Sequence, residues 1–285
     1  MTTTTVPRPI RDSTATVLLT GPRYVLTVST DVRLRRAAQR LRRRVFAAEP
    51  GFGLPDDGDT DLDADRFDDF CDHLLVHELA TGHLVGCYRM LTPAAAVRAG
   101  GYYTATEFDV TRLDPFGSSA VEMGRACVDP AHRSGAVLTL MWAGILRYLE
   151  TTGHDRVFGC VSVPMRTHRG ESPGANVRGV RDLLLARHAV EPAGRVTPHR
   201  PVRVDGRGLD DIAPPQRVSV PPLLRGYLRL GARICGEPAH DPDFGVADFV
   251  AILTTADANL RYLDRLRDAA ERAGGPAGVP TGIPA

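Results

Sequence analysis

The sequence predicts an α/β (α+β) fold built on one large core, and three observations point to it. Segments of strand character alternate with segments of helical periodicity along most of the chain. One stretch, residues 118–149, reads as strand, polar turn and buried helix in direct succession. A length of 285 residues with 43% hydrophobic and 24% charged residues suits one large domain with a C-terminal extension.

Thr, Pro and Arg dominate residues 1–20, which are expected to form a flexible arm. The folded domain is expected over 21–273. Residues 24–29 read as the first strand. Asp31 can cap a helix running to about Ala47, with Leu34, Ala38, Leu41 and Val45 on one face. Arg33, Arg35, Arg36, Arg40, Arg42, Arg43 and Arg44 make this segment strongly basic. A solvated charged face is one reading; a surface for an acidic partner, either acyl carrier protein or anionic lipid, is the other.

The chain then turns acidic over 49–69. Asp57, Asp59, Asp61, Asp63, Asp65 and Asp68 occupy the ligand spacing of a calcium loop, yet Leu62 stands where that loop needs Gly and Asp68 where it needs Glu. A solvated loop lending one or two carboxylates to a nearby site fits better. Residues 71–78 and 83–91 read as a hairpin around Ala80-Thr81-Gly82. Arg89 lies inside its second strand, and a buried guanidinium requires a carboxylate; Glu122 is the first candidate. Residues 93–116 form a longer excursion suited to a lid or pocket wall.

Glu122 and Arg125 interrupt an otherwise apolar strand over 120–128. In a regular strand they point to opposite faces, so acting together requires a bulge, for which Gly124 is the natural place. Asp129-Pro130 stops the strand, and the turn 131–135 feeds a helix on which Val137, Leu140, Met141, Gly144, Ile145, Tyr148 and Leu149 recur at helical spacing, with Gly153 placed to end it. Backbone N–H groups and the dipole at that helix start suit an anion, phosphate above all. Residues 156–163 form an interior strand. Helices are expected over 175–189, 221–230 and 256–273, a late strand over 248–254, and a disordered tail over 274–285.

Composition excludes several classes. A net charge of +1 gives no global case for nucleic acid. The cysteines Cys71, Cys87, Cys127, Cys160 and Cys235 show no CxxC pairing and read as small core residues of a reducing compartment. No secretion signal and no apolar run near the roughly 20 residues of a membrane span are present, so a cytoplasmic protein is expected, at most peripheral at the inner face of the membrane. There is no zinc spacing, GxSxG elbow or Walker loop; Thr81 stands where HExxH needs its second His, and Glu78 follows His73 where a glycerol-phosphate acyltransferase would carry Asp.

The ordered set VFAAE, DADRFDDFCDHLLV, HLVGCYRML, VEMGRACVDPAHRSG, a Trp-containing helix and VFGCVSV resembles the GNAT-fold N-acyltransferases, hemolysin-like in family, that make lyso-ornithine lipids and related N-acyl amino acids. The late block PPLLRGYLRLGARICGEPAHDPDFGVADFVAIL resembles that family's second conserved block. The resemblance covers most of 42–253, with a family core at 42–165 and a C-terminal block at 216–273. The core is also similar to acyl-homoserine-lactone autoinducer synthases, whose acidic pair matches Asp65 and Asp68, whose RLL arginine matches Arg89, and whose E-x-x-R matches Glu122 and Arg125.

The resemblance implies a central mixed, twisted sheet with splayed strands flanked by helices. It implies direct transfer of a (3-hydroxy)fatty acyl group from the acyl-phosphopantetheine of acyl carrier protein, or from acyl-CoA, to an amino acid's α-amine, with ornithine expected. No bound cofactor and no metal are expected. Glu122 would take a proton from the amine while a neighbouring arginine keeps it ionised, making Glu122, Arg125 and Arg89 the catalytic set. A backbone N–H near Cys127 or Val128 would face the oxyanion, and Arg133, Ser134, Gly135 and Ala136 would hold the pantetheine phosphate. Arg89 or Arg125 would take the acceptor's carboxylate, and Asp65 or Asp68 a second ammonium. Arg40, Arg43 and Arg44 would contact the carrier protein. The alternatives are an autoinducer synthase and a non-catalytic acyl-carrier or membrane-binding module.

Overall fold

A computed structural model describes residues 15–51, 61–113, 119–166, 172–262 and 264. Asp57, Asp59, most of the expected last helix and the expected tail lie outside them.

The sheet has nine strands: β1 (Ala15–Thr20), β2 (Tyr24–Ser29), β3 (Asp72–Glu78), β4 (Leu84–Leu91), β5 (Ala120–Val128), β6 (Arg156–Pro164), β7 (Arg233–Ile234), β8 (Ala239–Asp241) and β9 (Val246–Thr254). Their order is β1-β2-β3-β4-β5-β6-β9-β7, with β8 also pairing β9. All neighbours are antiparallel except β5 and β6. That parallel pair is joined by helix α3 (Ala136–Thr152), as a parallel connection requires. The mixed sheet expected from the sequence is therefore present.

Helix α1 (Val32–Ala48) covers one face of the sheet, with Ala38, Leu41 and Val45 packed on Leu75, Cys87 and Cys127. Asp31 caps it by accepting from the N–H groups of Arg33 and Leu34. Helix α3 covers the opposite face, with Val137, Met141, Ile145 and Leu149 set against Leu26, Leu74, Met90 and Val121. Strand alternation sorts the two sets: on β4, Tyr88 and Met90 face α3, while Cys87 faces α1. Each fully buried Leu or Met here contributes about 2 kcal/mol of apolar transfer. Helix α2 (Pro93–Ala99) opens the excursion that follows β4, capped by the Thr92 hydroxyl. Helices α4 (Ala175–Arg187) and α5 (Pro222–Leu230) belong to the C-terminal part of the chain, and α5 starts on prolines as expected.

Three expectations need correction. The arm expected to reach Thr20 includes a strand, because Ala15–Thr20 pairs with Tyr24–Ser29 and its Leu18 and Leu19 pack against the main core. Arg42 is not part of a solvated arginine face: it is 1% exposed, bound to Asp63 and Asp68. The acidic loop is not solvated at Asp63, Asp65 and Asp68, since Arg42, Arg89 and Arg125 pair with them.

Candidate active site

Strand β5 is the axis of the site. Its ladder with β6 covers only Ala120 to Glu122; beyond Glu122 the two strands diverge. Gly159 on β6 marks the fulcrum, because a Cβ there would lie 2.1 Å from the carbonyl oxygen of Met123. The expected bulge is also present. Cys87 pairs with Cys127 and Arg89 with Gly124, so Arg125 and Ala126 together oppose Tyr88. Its position differs from the expectation: Arg125, not Gly124, takes the left-handed conformation, at φ 54°. Gly124 has open space where a side chain would stand and lines the cavity. The extra residue brings Arg125 to the face that holds Glu122, over the rings of Tyr103 and Phe244.

The divergence opens a cavity of about 570 Å³. At one end stand Glu49 of the α1 terminus, Val128, Arg133 and Gly135 at the start of α3. In the middle lie Glu122, Arg125, Cys127 and Ser162. At the other end are Asp241, Phe244 and Asp248, while Leu138, Met141, Leu223 and Tyr227 form an apolar flank. The cavity therefore joins the turn at the start of α3 to Glu122 along the unpaired edge of β5.

Glu122 is 5% exposed, and its carboxylate accepts from the N–H of Tyr103 at 2.8 Å and from the N–H and hydroxyl of Thr104, both at 2.6 Å. Those three donors anchor the 102–104 loop and leave one of the roughly four lone-pair sites of a carboxylate for the cavity. Burial raises its pKa, and the Thr104 and Tyr103 donors oppose the shift.

Arg89 does not pair with Glu122 as expected. Its guanidinium lies 2.6 Å from Asp65 and 3.5 Å from Asp68, because the acidic loop folds back under β4. Arg42 binds Asp68 from the other side. Burial disfavours the charge on Asp68, but Arg42 and Arg89 outweigh it and hold its carboxyl well below the usual range. Asp65 is lowered in the same way, against burial, by Arg89 and Arg125. Neither Asp65 nor Asp68 lines the cavity, so the expected acceptor-binding pair is committed to arginines. Arg125, whose side chain is 16% exposed and reaches Asp65 only at 3.3 Å, is the cation best placed for a ligand.

Of the expected donor-binding residues, Cys127, Val128, Arg133 and Gly135 line the cavity, whereas Ser134 and Ala136 flank it. Arg133 bonds to Glu49, and Arg44 bonds to Asp129 nearby. Arg40 and Arg44 are exposed on α1, and Arg43 is half-buried.

The sequence reading missed Glu107, Asp241 and Asp248. Their carboxylates lie within 4.8 Å of one another, and Asp248 is 3% exposed. Burial, reinforced by Asp248, pushes Glu107 up to about 9. Burial pushes Asp248 up to about 6, with Asp241 adding to it and Ser162 opposing. The signal for Asp248 was available: it is the one charge in VADFVAILT, the same kind of interruption that marked Glu122. Glu107 sits in an irregular segment where no pattern points to it.

Among the described residues no helix is long and apolar enough to cross a membrane. Residues 41–143 match the acetyltransferase (GNAT) domain family. The chain is similar to an L-ornithine N(alpha)-acyltransferase of Brucella abortus (strain 2308), at 36% identity over 80% of this chain and 83% of that protein. It is also similar to an L-ornithine N(alpha)-acyltransferase of Rhizobium meliloti (strain 1021), at 32% identity over 80% and 79%. A solved N-acyl amino acid synthase from uncultured soil microbes aligns over 84% of this chain and 96% of its own, at 13% identity and a TM-score of 0.48. With a GNAT domain, a splayed mixed sheet and relatives matched over four-fifths of its length, the chain is an acyltransferase and belongs to the L-ornithine N(alpha)-acyltransferase family.

Proposed function

We propose that the protein transfers a 3-hydroxyacyl group from the phosphopantetheine thioester of acyl carrier protein to the α-amine of L-ornithine, giving a lyso-ornithine lipid without an acyl-enzyme. The observation that carries this reading is the continuous cavity from the α3 start to Glu122, bordered by the unpaired edge of β5. A pantetheine arm can run along that edge with its phosphate at Arg133 and Gly135. Exposed Arg40 and Arg44 lie on the C-terminal half of α1, the end of which lines the same mouth, and they suit an acidic carrier.

The chemistry then assigns roles. The ammonium of the acceptor gives a proton to Glu122, directly or through a water, and the freed lone pair attacks the thioester carbon. The N–H of Asp129 donates to Val85 on β4 at 2.9 Å. Because N–H directions alternate along a strand, the N–H of Cys127 also turns to β4, and that of Val128 turns to the cleft. Val128 is thus the better oxyanion donor of the expected two. As the tetrahedral adduct collapses, the C–S bond breaks and the thiolate leaves with the second amine proton. Arg125 holds the acceptor's carboxylate.

Incubation with 3-hydroxyacyl carrier protein and a panel of amino acids, read by mass spectrometry, tests the proposal. N-acyl-ornithine is the expected product. A product only from S-adenosylmethionine would indicate an autoinducer synthase, and no N-acyl product from any acceptor would refute the reading.

A further inference from the structure

We infer that Glu107, Asp241 and Asp248 form a subsite for the side-chain ammonium of the acceptor, and that this subsite makes the enzyme select a dicationic amino acid. The inference rests on the function proposed above and specifies its acceptor.

Charge pairing among the buried carboxylates carries the argument. Asp63, Asp65 and Asp68 each face an arginine within 4 Å. Glu107, Asp241 and Asp248 make no ion pair with any described residue, although their carboxylate oxygens come within 4.8 Å of one another. Asp248 is more than nine-tenths buried, lines the cavity, and accepts from the Ser162 hydroxyl at 2.6 Å and from the carboxyl of Glu107. Asp241 accepts from the N–H groups of Asp243 and Phe244 through Oδ1, so Oδ2 remains for a ligand. A fold that gathers one buried and two half-buried carboxylates without a cation leaves a place for one that arrives from outside.

The place is correctly set relative to the reaction. Glu122 contacts Thr104 Oγ1 at 2.6 Å, Thr104 Oγ1 lies 3.7 Å from Cys160 Sγ, and Cys160 Sγ lies 3.9 Å from Glu107. An extended ornithine with a hydrogen bond of about 2.9 Å at each end covers that reach. Its α-amine then meets Glu122, its carboxylate meets Arg125 and its terminal ammonium meets the three acids. Arg125 stacks on Phe244, three residues from Asp241, so the carboxylate and ammonium sites share one wall. Each group of the amino acid thereby finds a partner of opposite charge.

The test compares L-ornithine with L-norvaline, which has the same carbon chain and lacks the terminal amine. The wild-type enzyme is expected to prefer ornithine in kcat/KM by at least about 100-fold, since a site built around a polar group rejects the analogue lacking it. In Asp248→Asn the ratio is expected to fall to within about tenfold of unity. Asp241→Asn, at a half-buried position where folding is not at stake, is expected to lower it about tenfold. Calorimetric binding of both amino acids to the free enzyme gives a readout independent of transfer. Ornithine binding that depends on Asp248, without acyl transfer to any amino acid, would keep the subsite and refute the acyl-transfer reading. An unchanged ornithine-to-norvaline ratio in both variants would overturn the inference, as would Ca2+ or Mg2+ raising the melting temperature as much as ornithine does.

Discussion

Replacing Asp248 by Asn is expected to make the protein more stable while it spoils acceptor selection. Burial is the main reason the Asp248 carboxyl titrates near about 6, against about 3.9 for an aspartate in an unfolded chain. The folded pKa is the higher one, so the folded state binds more protons between those values and stability falls as pH rises through them. The penalty is absent below about pH 4 and complete above about pH 6. At about 1.4 kcal/mol per pKa unit, the ionised group costs the fold about 3 kcal/mol at pH 8. An amide at this position keeps the Ser162 hydrogen bond, whose strength toward the ionised carboxylate is already contained in the pKa. The gain at pH 8 is about 3 kcal/mol, or about 7 °C in Tm for a chain of this size. Thermal melts followed by circular dichroism at pH 8 and pH 4 measure it: the variant melts higher at pH 8 and level with wild type at pH 4. Adding ornithine at 100 times its Kd stabilises wild type by about 2.7 kcal/mol and closes the gap. A variant that melts below wild type at pH 8, or an offset equal at both pH values, refutes the reasoning.

Other perturbations read the remaining parts of the site. Gly159→Ala forces a methyl against the Met123 carbonyl; the strands shift at the fulcrum, and kcat/KM is expected to drop at least about tenfold, with a loss of about 1–3 kcal/mol in urea denaturation. Arg42→Ala leaves Asp63 and Asp68 buried without their cation, and a loss of about 3–5 kcal/mol is expected, visible as a lower urea midpoint. The ornithine-to-norvaline ratio is expected to rise from pH 6 to pH 9, because Asp248 and Glu107 become ionised across that range while an alkyl ammonium stays charged to about pH 10. Titration of the α-amine cancels in the ratio, and Tyr103, Cys160, Asp241 and Arg125, the other titratable groups around the pair, enter both numerator and denominator. Parallel kcat/KM profiles for the two acceptors would contradict this.

The framework of the fold was legible because it follows from local rules. Runs of strand-forming apolar residues bounded by turns located β2, β3, β4 and β6, Asp31 capped α1, and the turn after Asp129 ran into α3 as its small residues implied. The need for a bulge between Glu122 and Arg125 was legible too, since it follows from strand parity alone. Which residue would carry it was not: glycine is the residue freest to adopt a positive φ, but here the energy of placing Arg125 against Asp65, Tyr103 and Phe244 offsets the strain of a left-handed arginine. Pairing among buried charges was beyond the sequence for a related reason. Arg89, Asp65 and Asp68 were each recognised as charges requiring partners, but the choice between Glu122 and Asp65 depends on how the acidic loop folds back, which no periodicity encodes. Short strands such as Ala239–Asp241 were missed because three residues give no alternation to count.

The two sets of acids differ in how the fold pairs them. Where carboxylates fix the acidic loop to the sheet, each is matched by an arginine of α1, β4 or β5, and the pKa values of Asp65 and Asp68 are driven down. Such a group is ionised at any physiological pH and has nothing left to offer a ligand. Where Asp241 and Asp248 end the cavity, with Glu107 beside them, no described arginine forms an ion pair with them and the values of Glu107 and Asp248 are driven up. A cation entering there restores the ionised forms, so the free energy stored in burying those acids is released only when a positively charged group arrives. Glu122 stands between the two conditions: burial raises it, three donors from residues 103 and 104 restrain it, and Arg89 stays bound to the aspartates. Had Arg89 paired with Glu122, the carboxylate would have been too weak a base to take a proton from an ammonium. Under the proposed mechanism, committing that arginine to Asp65 and Asp68 leaves Glu122 without a direct ion pair, and Arg89 lowers it only through space.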